Sequence, residues 1–201
     1  MPDLSLCQLA CSRQALTWLI FIASQTYRFP HVVDAVNARA GRPDYLFLDC
    51  EWADITAKEL VSIGIASIDG TRTFYAELDP LPADPTPWVR AVVYPILERG
   101  EAAMTLATMA FRLRAFLATF ERPLICYDYM VDRDLCEHVL RSQSEDHDQT
   151  GAVGLEWQLL SDVGPSLGRW WAEHPNETAR RHHALADAFA LRAAYLSLWG
   201  I

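Results

Sequence analysis

Acidic side chains and one histidine occur in three clusters whose types and order could serve metal-dependent hydrolysis. Asp49 and Glu51 end an apolar run, Asp132 stands near the start of a predicted helix, and His182 lies five residues before Asp187. Four carboxylates offer the hard oxygen ligands that Mg²⁺ and Mn²⁺ prefer. An imidazole beside them could accept a proton from water. Together these side chains could hold two divalent ions and activate a water molecule.

Each cluster taken alone has a simpler explanation. Asp49 and Glu51 would project to one face of a strand, but they could be two solvated acids at its end. Asp132 could serve only as a helix cap, and Asp128 and Asp134 compete with it for a functional role. The first two clusters are therefore weak evidence when considered separately.

The third cluster is equally open by itself. His182 could be an ordinary loop residue, Asp187 could interact only with the dipole of a helix, and His183 is a rival for His182. The order of all three clusters is more informative. They fall on a strand, on a strand-to-helix junction and on the last helix, which favours one shared site.

Composition and charge fit one globular domain and constrain its partners. The chain has 201 residues, of which 51% are hydrophobic and 21% charged, as in ordinary soluble domains. The formal net charge of −9 argues against non-specific attraction to polyanions. A nucleic-acid enzyme remains compatible with this charge, because bound divalent ions would supply positive charge where a phosphate binds.

The cysteines indicate a reducing compartment. Their number is odd, and no two are separated by only two residues; they are Cys7, Cys11, Cys50, Cys126 and Cys136. Buried, unpaired thiols in a reducing environment are the simplest interpretation, and a zinc site is poorly supported. We therefore expect a cytoplasmic protein.

The N-terminal region contains an apolar run at residues 15–23 that is too short to span a bilayer. Asp3 precedes this run and Arg13 is the only cation before it, which is unlike a signal peptide. We interpret residues 1–43 as an extension of unknown role and residues 44–201 as one domain, with no membrane partner. A cleaved signal peptide is the weaker alternative.

Hydrophobic patterns predict an α/β domain with a mixed sheet. Strands are predicted at 45–49, 60–68, 73–78, 124–127 and, weakly, 155–160, and helices at 88–94, 105–120, 133–142, 166–172 and 184–199. Asp69-Gly70 is a hairpin signal, so the first carboxylates should open an antiparallel meander. Loops are predicted at 79–87, 144–154 and 173–181. The order of these elements is typical of an α/β fold.

The three clusters resemble the DEDDh branch of the RNase-H-like 3′–5′ exonucleases. That family has Asp-x-Glu on its first strand, an Asp after a fourth strand and His-x-x-x-x-Asp on its last helix. The matching stretches are residues 47–52, 124–135 and 182–188, of which the last is the most specific. Residues 59–65 and 88–90 are similar to a small group of bacterial exoribonucleases within the family. The resemblance covers residues 44–199.

This resemblance implies a fold and a reaction. The implied fold is a five-stranded mixed sheet, with strands one to three antiparallel, flanked by helices. The implied reaction releases nucleoside 5′-monophosphates from the 3′ end of single-stranded RNA. Asp49, Glu51, Asp132 and Asp187 would hold two Mg²⁺ or Mn²⁺ ions, with Asp49 bridging them, and His182 would be the general base.

The second motif departs from the family, because Tyr127 and Asp128 stand where many members have His and Asn. Counting from the strand favours Asp132 over Asp134 as the ligand. Trp52 could stack on the terminal base or could be a core aromatic.

The alternatives to an exoribonuclease are a proofreading-like exodeoxyribonuclease, a non-catalytic nucleic-acid-binding protein of the same fold and, more distantly, a phosphatase. Members of the family are often dimers, which suggests a homodimer.

Overall fold

A six-stranded mixed sheet forms the centre of the computed structural model, which describes residues 41–142 and 155–200. The strands are β1 (Asp44–Trp52), β2 (Leu60–Ser67), β3 (Thr73–Leu78), β4 (Ala103–Met104), β5 (Pro123–Tyr127) and β6 (Glu156–Leu159). Their order across the sheet is β4-β3-β2-β1-β5-β6. The pairs β1–β2 and β2–β3 are antiparallel, whereas β1–β5, β5–β6 and β3–β4 are parallel. The predicted α/β class, the mixed sheet and the antiparallel meander are thus confirmed.

The sheet contains one strand more than the sequence indicated. The additional strand, β4, has only two residues and extends β3 at the edge of the sheet, where the backbone N–H of Asp79 also donates to the carbonyl of Met104 at 2.8 Å. Two residues are too few to show an alternating hydrophobic pattern. Only the path of the chain beside β3 creates this strand.

Five α-helices are found within the described residues. They are α1 (Pro87–Val92), α2 (Leu106–Leu117), α3 (Met130–Arg141), α4 (Gly164–Glu173) and α5 (Ala184–Trp199), and short 3₁₀ helices cover Tyr94–Ile96, Gly100–Ala102 and Thr178–Arg180. The predicted bounds of α5 are confirmed at both ends. The predicted loop at 144–154 falls outside the described residues, as does the apolar run at 15–23. No helix in the described ranges is long and apolar enough to cross a membrane.

Helix α3 begins three residues earlier than predicted, at Met130, with Tyr129 as its N-cap residue. Tyr129 caps no backbone N–H with its side chain, so the sequence carries no capping signal at this boundary. Asp132 consequently lies inside the first turn of the helix and is not its N-cap residue. The simpler explanation for this acid, a role only as helix cap, is therefore wrong.

The alternation of side chains along β1 separates the core into two layers and sends its acids to one of them. Leu46, Leu48 and Cys50 belong to the cluster that includes residues of α2 and α3, whereas Phe47 packs with residues of α5. Since successive strand residues point to opposite faces, Asp49 and Glu51 share the α5 face of the sheet with Phe47. The two acids therefore face the helix that carries Asp187.

The first turn of α5 packs directly on the backbone of β2 at Gly64. A methyl group at Gly64 would lie 2.3 Å from the backbone nitrogen of Leu185 and 2.5 Å from the carbonyl oxygen of Ala184. Gly64 is paired with Asp49 across the β1–β2 ladder, and directly opposed residues project to the same face. The missing side chain at Gly64 thus lets α5 approach the sheet beside Asp49.

We expect Gly64→Ala to lower the free energy of unfolding by about 1–3 kcal/mol or more, because overpacking against backbone atoms forces α5 away from the sheet. Denaturant unfolding of both proteins measures this difference. Gly168→Ala in α4 is the matched control, since a methyl group there meets no atom within 4 Å. A Gly64→Ala variant as stable as the control would contradict the close approach.

Candidate metal and catalytic site

An open cavity of about 440 Å³ lies where β1 and β5 end, beside the N-terminal turns of α3 and α5. Because β1 and β5 are parallel, the residues that follow them meet at the same edge of the sheet. All six predicted site residues line this cavity, namely Asp49, Glu51, Trp52, Asp132, His182 and Asp187. The structure therefore brings together three clusters that lie far apart in the sequence.

The ligand-type side chains form two groups of three. Glu51, His182 and Asp187 have donor atoms within 4.8 Å of one another. The second group consists of Asp49, Asp128 and Asp132, whose donor atoms also lie within 4.8 Å of one another. Two adjacent groups of this kind could hold two divalent ions, with carboxylate oxygens as the main donors.

The choice between Asp132 and Asp134 is decided by the direction of each side chain. Asp132 is 2% exposed and its Oδ1 accepts the backbone N–H of Cys50 at 3.1 Å, which ties α3 to β1 between the two strand acids. Asp134 is exposed on the outer side of α3 and does not line the cavity. Asp128 does line the cavity, although the sequence offered it only as a competitor of Asp132.

Burial and mutual repulsion disfavour the charged forms of these acids. Burial first, and then the charges of Asp187 and Asp132, raise the pKa of Glu51 to about 9. Burial and the neighbouring Asp128 raise the pKa of Asp132 to about 8. The pKa of Asp49 is raised well above its usual range by burial and by the surrounding carboxylates.

The pKa of Asp187 is raised less than the pKa values of Glu51 and Asp132, because two partners favour its charged form. Burial raises its pKa to about 7, but the backbone N–H of His182 and the positive charge of Arg181 act in the opposite direction. The N–H of His182 donates to Oδ2 of Asp187 at 2.7 Å. Arg181 also lines the cavity and is exposed there.

The residues present fit a hard divalent cation. Oδ2 of Asp49 is shielded from solvent and has no hydrogen-bond partner within the described residues. A buried polar atom without a partner is costly, and an oxygen among like charges is best satisfied by a positive ion. Oxygen-rich donor sets suit Mg²⁺ or Mn²⁺ better than the softer metals that prefer thiolates.

His182 is the histidine that the structure places at the site. Its imidazole is half-buried and lies edge-to-face on the indole of Trp88, with ring centroids 4.9 Å apart. Burial and the neighbouring Arg181 lower its pKa below the usual value. This lowering favours the neutral ring, which is the form that can accept a proton.

His183, the rival candidate, lies in a different environment. It is 1% exposed, stacks on Tyr75 with ring centroids 4.3 Å apart, and does not line the cavity. Its Nε2 lies 3.4 Å from a carboxylate oxygen of Glu98, too loosely placed to count as a hydrogen bond. His183 thus contributes to the packing of the loop before α5.

Trp52 is a core aromatic, one of the two alternatives that the sequence left open, and its ring also reaches the cavity. Its half-buried ring packs against the core cluster and stacks on Tyr129, with centroids 5.9 Å apart and planes inclined by 17°. It also lines the cavity. Trp52 is therefore a core aromatic that presents part of its surface at the site.

Sequence reasoning missed several residues that line the cavity. Trp88 and Tyr129 add aromatic surface and Arg181 adds a cation. Asp128, which the sequence offered only as a rival of Asp132, adds a further carboxylate. Signals for two of them were present, since Arg181 directly precedes His182 and Asp128 directly follows a strand that ends near β1. For Trp88 the only signal was the similarity of residues 88–90 to bacterial exoribonucleases, which assigned it no place at the site. No protein-family model matches the chain, and a search among curated proteins likewise found no match.

We expect the metal-free protein to lose thermal stability as the pH rises from about 5 to about 9. The native pKa values of about 7 to 9 exceed the usual carboxyl values near 4, so the unfolded chain ionises first and the native state binds more protons in this window. Mg²⁺ or Mn²⁺ should raise the melting temperature, and increasingly so at higher pH, because the ions bind the native carboxylates. Melting curves across this pH range, with EDTA or metal, measure both effects.

The control for that experiment is a pair of isosteric substitutions on one helix. Asp132→Asn should weaken both the pH dependence and the stabilisation by metal, whereas Asp134→Asn should change neither, because only Asp132 is buried at the site. Equal behaviour of the two variants, or a melting temperature that metal leaves unchanged at pH 8, would contradict the proposed cation site.

Proposed function

We propose that this protein is a metal-dependent 3′–5′ exoribonuclease of the DEDDh type, with an RNase-H-like fold. The observation that carries the proposal is the meeting of two groups of three ligand-type side chains in one cavity, with the imidazole of His182 among them. The antiparallel β1–β3 meander, continued by β5 and β6 parallel to β1, supports the fold assignment. The substrate would be the 3′ end of single-stranded RNA and the product a nucleoside 5′-monophosphate.

The carboxylates would hold two Mg²⁺ or Mn²⁺ ions. Asp49, Glu51, Asp132 and Asp187 are the proposed ligands, and the position of Asp128 makes it an additional candidate. When bound, such ions stabilise the attacking and leaving oxygens of an in-line displacement at phosphorus. They would also relieve the repulsion that raises the pKa values of these acids.

His182 would act as the general base. The oxygen of a water molecule would form a bond to phosphorus while the bond from phosphorus to the 3′ oxygen of the preceding nucleotide breaks. That 3′ oxygen would take up a proton from solvent and become the new 3′-OH. The imidazole accepts the proton that the water loses, which its lowered pKa permits at neutral pH. The hydrogen bond from its backbone N–H to Asp187 fixes this residue beside the carboxylates.

The remaining lining residues suit a single nucleotide end. The cavity volume falls in the range of small-molecule sites, about 300–1,000 Å³. Arg181 would contact a phosphate, and Trp52 would stack on the terminal base. The net charge of −9 provides no general attraction for a long polyanion, so the affinity would come from metal and from these local contacts.

The alternatives make different use of the same cavity. An exodeoxyribonuclease would share all of these residues, and the preference for RNA rests on the resemblance of residues 59–65 and 88–90 to bacterial exoribonucleases. A binding protein without catalysis is less favoured, because burying several carboxylates at one point is unfavourable unless a cation binds there.

A cytoplasmic location and a homodimer stay predictions. The three described cysteines, Cys50, Cys126 and Cys136, are buried and free, as a reducing compartment would allow.

Digestion of matched RNA and DNA strands tests the activity directly. We expect 5′-labelled single-stranded RNA to give a ladder that shortens from its 3′ end with Mg²⁺ or Mn²⁺ and not with EDTA. Asp49→Asn should lower kcat by about 10³-fold or more, because a metal ligand supports several kcal/mol of transition-state stabilisation. The exposed Asp134→Asn is the matched control and should leave kcat unchanged.

The possible results of this digestion separate the hypotheses. A ladder mainly on DNA would favour the exodeoxyribonuclease. No ladder on either strand, from folded protein with metal, would contradict the enzymatic proposal and leave the binding protein. Full activity in Asp49→Asn would mean that the site has been misassigned.

The two adjacent histidines should differ in their effects. We expect His182→Ala to lower kcat by about 10²–10⁴-fold, the usual contribution of a general base. His183→Ala should mainly lower the melting temperature, because it removes a buried ring that packs on Tyr75. The exposed His138→Ala is the control for both measurements. A larger loss of kcat in His183→Ala than in His182→Ala would show that the base has been misassigned.

A further inference from the structure

Trp88 has a large aromatic side chain at the rim of the cavity, to which the proposed mechanism assigns no role. It is 49% exposed, although large apolar side chains are usually covered, and it lines the same cavity as the carboxylates. Its only aromatic partner among the described residues is the imidazole of His182. We propose that Trp88 is a positioning residue that fixes the orientation of the His182 ring towards the reacting water. This inference rests on the proposed function.

The backbone of His182 is fixed, but its ring has few restraints. His182 has φ of +71°, a left-handed conformation that is uncommon for residues other than glycine. The hydrogen bond from its N–H to Asp187 holds the backbone in this conformation. Within the described residues, neither ring nitrogen forms a hydrogen bond that could set the side-chain torsions. The edge-to-face contact with Trp88 is therefore the main directional restraint on the imidazole.

Trp88 can act as a restraint because its own helix is firmly attached to the end of β1. The backbone N–H of Thr86 donates to the carbonyl of Ala53 at 2.9 Å, and Oγ1 of Thr86 caps α1 by accepting the N–H of Val89 at 3.2 Å. Val89 and Val93 also pack with Ala53 and Val61 in a small separate core. These contacts anchor α1 two residues beyond Glu51.

The contact between Trp88 and His182 consequently joins two parts of the site. On one side is the end of β1, which carries Asp49 and Glu51 and anchors α1. On the other side is the loop before α5, which carries His182 and leads to Asp187. The ring contact fixes the distance between the general base and the strand acids by a path that does not run through α5.

The other role open to Trp88 is stacking on the substrate base, and kinetics distinguish the two. A residue that only binds the substrate changes KM and leaves kcat unchanged, whereas a residue that orients the base changes kcat. For Trp88→Ala we expect kcat on single-stranded RNA to fall about 3- to 10-fold with little change in KM. Trp88→Phe, which keeps an aromatic face, should recover most of this loss.

Two comparisons make the kinetic test specific. Trp199→Ala at the end of α5 removes a partly exposed tryptophan that does not line the cavity, and it should leave kcat unchanged. In a His182→Ala background, Trp88→Ala should cause no further loss of kcat, because a positioning residue has nothing left to orient. Additive losses, or an increase of KM alone, would overturn the proposal.

A spectroscopic experiment tests the contact without relying on activity. In ¹H–¹³C spectra of the histidine rings, the resonances missing from His182→Ala identify His182. Those resonances should shift in Trp88→Ala, because the ring current of the indole is lost, and should keep their positions in Trp199→Ala. Unchanged His182 resonances in Trp88→Ala would overturn the inference.

Failure of this inference is distinguishable from failure of the proposed function. A folded wild-type protein that degrades neither RNA nor DNA with metal present would overturn the proposed function and, with it, the role of Trp88. An active wild type with unchanged kcat in Trp88→Ala would overturn the role of Trp88 alone.

Discussion

The arrangement of the site depends on the close packing of α5 against the backbone of β2. Gly64 lies opposite Asp49 in the β1–β2 ladder, and no side chain intervenes between this strand and the first turn of the helix. Because the helix approaches here, Asp187 and His182 come within reach of Glu51. A larger residue at this one position would separate the third cluster from the first.

Bringing these groups together has an electrostatic cost. Burial and repulsion raise the pKa values of the carboxylates, and one oxygen of Asp49 is left without a partner. The hydrogen bonds from Cys50 to Asp132 and from His182 to Asp187 offset only part of this cost. A site of this kind is understandable when divalent cations complete it, because they convert the repulsion into attraction. The same cations would supply the chemistry of the phosphodiester hydrolysis that we propose.

Much of the fold was predictable because the longer apolar segments have sequence patterns that are typical of strands or helices. The meander of β1 to β3 followed from short, mostly apolar runs and from Asp69-Gly70, and α5 was predicted with its observed bounds. Weak local signals explain the differences. Strand β4 is too short to have a pattern, and α3 begins at a residue without a capping side chain. In both cases neighbouring elements, and not local propensity, set the boundary.

The sequence by itself determined which residue types could do chemistry and the order of the elements that carry them. Asp49, Glu51, Asp132, His182 and Asp187 were identifiable because acids and a histidine recur where strands end and helices begin. Only the tertiary structure decided between neighbours of the same type. Asp132 is buried and Asp134 exposed, and His182 lines the cavity while His183 packs on Tyr75. The physical reason is that the direction of a side chain depends on how its element packs, which the order of residues does not reveal.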